Sequence, residues 1–269
     1  MKAKTAEKKF FFIKHPVLAS IIIPALGLLY ISLLNVPLSL LPEVPSQIIL
    51  ALITFLLLVF HKMHYKPYYL GSFYKDGIKD RRLWILVAIA FSIDIAFPIV
   101  KGIFIRHNSF KLSYFANGLQ AGCCEEIIFR ALPVSVMMAY FKNKKTYIPA
   151  LLLGSLIFGV IHLTNLIDGS AAVAITWLQV FTASASGLLY CAIYIYTGNI
   201  LIPIIMHSIH DMGAFLELGS DASLTIAIRP GLLIEEGIMF TMEIVIAVLL
   251  LRKHKDHIIS VWNNRWQNI

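Results

Sequence analysis

The chain has 269 residues, of which 58% are hydrophobic and only 14% charged, and its mean hydropathy is +0.77. A soluble domain is nearer half apolar and a quarter charged, so this composition excludes a water-soluble enzyme and a disordered chain. The net charge of +8 is diluted over long apolar runs and does not make a nucleic-acid binder.

What remains is an all-α, polytopic membrane protein with the lipid bilayer as its solvent. At ~20 residues per span plus loops, the length allows about eight transmembrane helices. The hydropathy pattern predicts them at 16–41, 46–60, 83–103, 117–141, 147–168, 171–197, 199–217 and 231–251. The first is expected to break at Asn35-Val36-Pro37, since Pro usually kinks a membrane helix. The second is short and is expected to lie thin or tilted. The basic, then apolar, start of the chain has no small-residue cleavage site and reads as an anchor rather than a cleaved leader. No linker is long enough to divide domains, so 1–269 reads as one integral membrane domain. No internal repeat is visible, which disfavours an inverted-repeat transporter.

Eighteen of the 23 basic residues fall in the amino-terminal tail, in 61–82, in the loop at 142–145 and in the carboxy-terminal tail. Eight spans put all four segments on one side. The other side holds Lys101, Arg106, Lys111 and Arg229. This bias predicts both termini in the cytoplasm of a plasma membrane. The composition, rich in Lys, Ile and Asn, looks bacterial. Cys123, Cys124 and Cys191 show neither a disulfide framework nor metal-finger spacing and read as small buried hydrophobes.

A charged side chain inside a span costs ~2.5–3.5 kcal/mol, so those that occur there are informative. They are Asp94, Glu125, Glu126, Arg130, His162, His207, His210, Asp211 and Glu243. The other six histidines, His15, His61, His64, His107, His254 and His257, fall in flanks or loops and read as solvated. In the fourth span Glu126 and Arg130 are spaced i, i+4 and can form an ion pair. Glu125 points about 100° away and is left outside that pair, the setting in which a carboxylate becomes a general base. Glu235-Glu236 lacks a following basic residue and reads as interfacial. The fifth span carries Phe158 and His162 on one face. In the seventh, His207 and Asp211 are i, i+4, so a carboxylate can orient an imidazole. His210 lies about 60° from His207 and reads as a flanking or packing group. Counted from the span ends, Glu125, His162, His207 and Asp211 fall in one thin layer, which argues for one site.

The three motifs, EEIIFR at 125–130, FGVIH at 158–162 and HSIHD at 207–211, together resemble the CAAX-protease and bacteriocin-processing (CPBP, or Abi) family of intramembrane endopeptidases. All defining positions match, in order, each on its own span. The resemblance covers residues 115–215 and implies an eight-helix fold with a protease core on helices 4, 5 and 7. It implies peptide-bond hydrolysis in which Glu125 activates water, His162 positions it, and His207 and Asp211 stabilise the oxyanion. Glu126 and Arg130 would support Glu125.

A metal such as zinc stays open. Glu125, His162, His207 and Asp211 could hold one, although the His-Glu-x-x-His signature is absent. The implied partner is a peptide or membrane-protein substrate. Competing readings are a non-enzymatic scaffold in bacteriocin self-immunity or regulation, a proton-coupled transporter, and a haem protein ligated by His162 and His207. A cysteine nucleophile at Cys124 is also formally available next to Glu125.

Overall fold

The computed structural model describes residues 11–65, 80–141, 144–167, 172–218, 230–252 and 254–266, without the side chains of 61–65, 94 and 264–266. The side chains of Asp94, His61 and His64 therefore lie outside the described residues. So do Lys2, Lys4, Lys8, Lys9, Lys66, Lys75, Lys79, Lys142, Arg229 and Lys253, and the side chains of Lys62 and Arg265, which entered the charge bias.

All regular structure among the described residues is helical. After one turn at Phe11–Lys14, α1 runs Pro16–Leu38 and α2 Glu43–Tyr65. α3, Arg81–Ile105, contains π-helical stretches at Phe91–Ala96 and Lys101–Ile105. α4 spans 112–141 as Leu112–Glu126, a π turn at Ile127–Ala131, and Pro133–Phe141. α5, Ile148–Ile161, is followed by a turn at Thr164–Ile167. Then come α6, Val173–Thr197; α7, Leu201–Leu218; α8, Pro230–Leu251; and α9, Lys255–Trp266.

Five helical stretches are long and apolar enough to cross a membrane: Pro16–Leu38, Glu43–Phe60, Arg81–Ile105, Ile148–Ile167 and Val173–Thr197. Such a set identifies an integral membrane protein. α4, α7 and α8 carry most of the ionisable residues singled out above and are not among the five.

Two expectations about the first spans fail. α1 is not broken at Asn35-Val36-Pro37 but runs through Pro24 and Pro37 to Leu38. Pro37 lies in the last turn, where the chain is about to leave the helix and little remains to be kinked. α2 is not short. It starts at Glu43, ahead of its apolar run, and has 23 residues. Glu43 in the first turn suits the positive end of a helix dipole.

The core is built on α4, α6 and α7. Gly118 and Gly122 bring α4 against the backbone of α7. A Cβ on Gly118 would lie 2.5 Å from the Ser208 carbonyl oxygen, and one on Gly122 would lie 2.5 Å from the Ser208 nitrogen. Small residues at i, i+4 permit this close approach in a membrane helix pair. Gly118→Ala and Gly122→Ala are each expected to cost about 1–3 kcal/mol by overpacking. A melting curve in detergent checks this, and unchanged stability would contradict it.

At the other end of the bundle, α9 docks through Ile258, Val261 and Trp262, all buried, and the Trp262 indole N–H donates to the Ile195 carbonyl at 2.8 Å. Nearby, Asp80 caps α3 by accepting from the Arg82 N–H at 2.9 Å, and its other oxygen accepts from the Tyr196 hydroxyl. Burial alone would raise the Asp80 carboxyl, but these two donors together with the charges of His254 and Arg82 hold it below the usual carboxylate range. Arg82 in turn donates to His254 Nε2 at 3.0 Å. The start of α3 is thus tied both to α6 and to the segment between α8 and α9.

Candidate active site

The site grows from an irregularity in α4. Pro133 has no N–H, so the carbonyl four residues back loses its helical donor. The chain responds with a π turn, in which the Leu132 N–H donates to the Ile127 carbonyl at 3.1 Å, one residue further back than in an α-helix. Such turns within α-helices often mark functional sites. Here it follows directly after Glu125-Glu126 and carries Arg130.

Glu126 and Arg130 are both fully buried, and Arg130 Nη1 lies 3.0 Å from Glu126 Oε1. The contact is an ion pair rather than a well-aligned hydrogen bond. The guanidinium also lies over the Phe158 ring, 3.7 Å from its centroid, a cation–π contact that is strong where water is excluded.

Glu126 does more than hold Arg130. The same Oε1 accepts from His207 Nδ1 at 2.8 Å. That bond fixes the imidazole of α7 and turns its Nε2 toward two other carboxylates. Glu125 Oε2 is 3.8 Å away and Asp211 Oδ1 is 3.6 Å away. Tyr190 of α6 stacks on the His207 ring, with centroids 5.5 Å apart and planes at 30°.

Phe158 is a second organiser that the spacing argument left as a mere face-mate of His162. Its carbonyl accepts from His162 Nδ1 at 2.9 Å. Its ring meets His162 and His207 edge-on, at 5.1 and 5.9 Å between centroids. A carbonyl can only accept, so His162 Nδ1 carries the proton and Nε2 of a neutral ring is left as an acceptor.

Glu125, His162, His207 and Asp211 line one cavity of about 240 Å³, together with His210, Gln179, Thr182, Ser186 and Tyr190. Glu125 keeps 34% of its side chain exposed, whereas Glu126 has none. The two adjacent acids therefore have distinct settings, one facing the cavity and one locked in the core.

Glu235, expected at the interface, has a basic partner that its own helix does not supply. It accepts from Lys101 Nζ at 2.6 Å, and Lys101 also pairs with Glu217 at 2.6 Å. Glu217, Glu235, Glu236 and Glu243 all line the cavity. Lys101 therefore joins α3, α7 and α8 beside it. An i, i+4 search within one helix could not find this triad, because each member sits on a different helix.

The cysteines stand apart. Cys123 Sγ donates to the Ala51 carbonyl and Cys124 Sγ to the Thr54 hydroxyl, both buried toward α2. Neither lines the cavity. Among the described residues no group of three or more His, Cys, Asp or Glu side chains is arranged to hold a metal ion, and His207 Nδ1 is already committed to Glu126.

Residues 107–213 match the family model described as type II CAAX prenyl endopeptidase Rce1-like. Neither a curated protein nor a solved structure matches the chain. The matched stretch contains all three motifs and every side chain of the Glu125–Glu126–Arg130–His162–His207–Asp211 group.

Proposed function

We propose, because residues 107–213 match the Rce1-like type II CAAX prenyl endopeptidase family (CPBP/Abi), that this chain is an intramembrane endopeptidase that hydrolyses a peptide bond with carboxylate-activated water. The observation that carries the reading is the fixed imidazole of His207, held on one nitrogen by buried Glu126 while the other faces Glu125 and Asp211.

The chemistry follows from what each group can do. Glu125, facing the cavity, takes a proton from water as its oxygen adds to the scissile carbonyl carbon. His162 Nε2 is an acceptor and holds that water. With Nδ1–H held on Glu126, a donor at Nε2 makes His207 the doubly protonated imidazolium; as the carbonyl oxygen gains negative charge, that Nε2–H hydrogen-bonds to it and keeps its proton, with Asp211 orienting the donor. Glu125 then returns its proton to the leaving amine, and the C–N bond breaks. The glutamate ends as it began, so the cycle is balanced. Glu126 and Arg130 position His207 and do not touch substrate.

The substrate is a peptide or membrane-protein segment. We read the chain as eight transmembrane helices, α1 to α8, with both termini on the cytoplasmic side of a bacterial plasma membrane, and with the catalytic core on α4, α5 and α7. The charge bias and the helix order support that reading.

Purified chain in lipid vesicles is expected to cut members of a quenched fluorogenic peptide library. Millimolar 1,10-phenanthroline should leave the rate within about twofold, since no step needs an ion. A loss reversed by added zinc would contradict the direct-water route. A silent wild type on every member would count against the enzyme.

A further inference from the structure

α6 is buried most fully toward its carboxy-terminal end, and both α6 and α8 carry exposed apolar residues along their amino-terminal turns. In α6 every residue from Leu189 to Thr197 is buried, whereas Val173, Trp177 and Phe181 are exposed. In α8 the buried residues begin at Glu243, and Leu233, Ile234 and Ile238 ahead of it are exposed. Between these amino-terminal stretches of the two helices lies a cleft. That cleft is an apolar groove of about 290 Å³, formed by Leu178, Phe181, Leu233, Gly237 and Phe240.

Thr182 and Glu236 line both this groove and the catalytic cavity. The groove therefore adjoins the cavity from the side, with Thr182 and Glu236 between the two. α6 is built for such a junction. Gln179, Thr182 and Ser186, spaced i, i+3, i+7, present one polar stripe to the cavity. Leu178 and Phe181, one position earlier, present an apolar stripe to the groove. On the facing helix, a Cβ placed on Gly237 would meet nothing within 4 Å, so the missing side chain leaves the groove open there.

With α8 crossing the bilayer, as in the eight-span reading proposed above, the outer edge of this groove faces hydrocarbon. A soluble peptide gains nothing from such a route. An apolar segment already in the membrane can reach the cavity through it without crossing a headgroup layer. To be cut it must unwind locally, and its freed N–H groups then need acceptors. The polar stripe of α6 supplies oxygens at that point.

We propose that the cleft between the amino-terminal halves of α6 and α8 is a lateral entrance that admits an apolar, membrane-embedded peptide segment to the cavity. What happens after entry rests on the endopeptidase reading; the entrance itself rests only on the eight-span reading.

The test uses the full chain in phosphatidylcholine–phosphatidylglycerol vesicles. The probe is a synthetic leucine–alanine transmembrane peptide, flanked by lysines and carrying a photoreactive diazirine leucine. Crosslinks should concentrate in 178–182 and 233–240. Gly237→Trp, which fills the groove, should lower their yield about tenfold, and Gly237→Ala should keep it within about twofold, both at unchanged melting temperature. Glu125→Gln should crosslink like wild type.

Crosslinks spread evenly over the lipid-facing helices would overturn the proposal. So would an undiminished yield in Gly237→Trp, or a groove labelled by a diazirine lipid that excess peptide does not displace. Should Gly237→Trp fail to fold, the crosslink map of the wild type still decides. A chain that captures the peptide at this cleft but cuts no peptide would sink the endopeptidase reading alone.

Discussion

Replacing Glu125 with glutamine is expected to reduce peptide hydrolysis by about 10²–10⁴-fold, the usual worth of a general base. The substitution keeps the shape of the side chain and removes only its ability to take a proton. Glu125 sits 3.8 Å from His207 Nε2 and keeps 34% of its side chain open to the cavity. It takes no part in the buried Glu126–Arg130 pair. The variant should therefore insert, melt near the wild-type temperature and bind peptide while losing turnover. Rates at saturating peptide, paired with a melting curve, separate these effects. Full turnover by Glu125→Gln would remove Glu125 from the chemistry.

Replacing its neighbour should do something different. Glu126→Ala leaves the Arg130 guanidinium fully buried with no carboxylate beside it and takes the acceptor from His207 Nδ1. Breaking a buried ion pair from one side costs about 3–5 kcal/mol, because the remaining charge is stranded. Arg130→Ala should cost a similar amount by stranding Glu126. The double variant Glu126→Leu with Arg130→Met should be less damaged than the sum of two single losses, since it leaves no stranded charge. Its stability should recover while its activity does not, because His207 is still unheld. Equal stability of Glu126→Ala and wild type would show that the pair holds nothing together. The contrast between the two adjacent glutamates is the sharper prediction, one governing rate and the other governing fold.

The contrast also shows what a sequence can carry. Helical periodicity placed Glu126 beside Arg130 and His207 beside Asp211, because both are i, i+4 pairs on one helix. Burial cost picked out Glu125 and His162, since ionisable groups are rare in apolar runs. The bond from His207 to Glu126 was not legible. It joins α4 to α7, and no periodicity reports which faces of two helices meet. The same limit hid the Lys101–Glu217–Glu235 triad, whose members sit on three helices. Phe158 was read only as a face-mate because its carbonyl and ring faces are invisible in a residue pattern. Pro133 was a usable signal. A proline just after an acidic and basic cluster foretells a disrupted ladder, and here it produces the π turn that carries Arg130. The ends of α1 and α2 were misread because a hydropathy window weighs apolar content, whereas the helix follows backbone bonding through Pro37 and out to Glu43.

The composition has acquired a narrower meaning as well. Only 14% of the chain is charged, yet Glu125, Asp211, Glu217, Glu235, Glu236 and Glu243 all meet at one cavity. In a membrane protein such a gathering is expensive unless it does chemistry or holds a charged partner.

The most direct test is a comparison of peptide termini in membranes of cells expressing the wild-type chain and cells expressing Glu125→Gln at equal level. The account predicts new termini, lying in or beside apolar segments, that appear with the wild type and are absent with Glu125→Gln. Identical sets of termini from the two strains would contradict it.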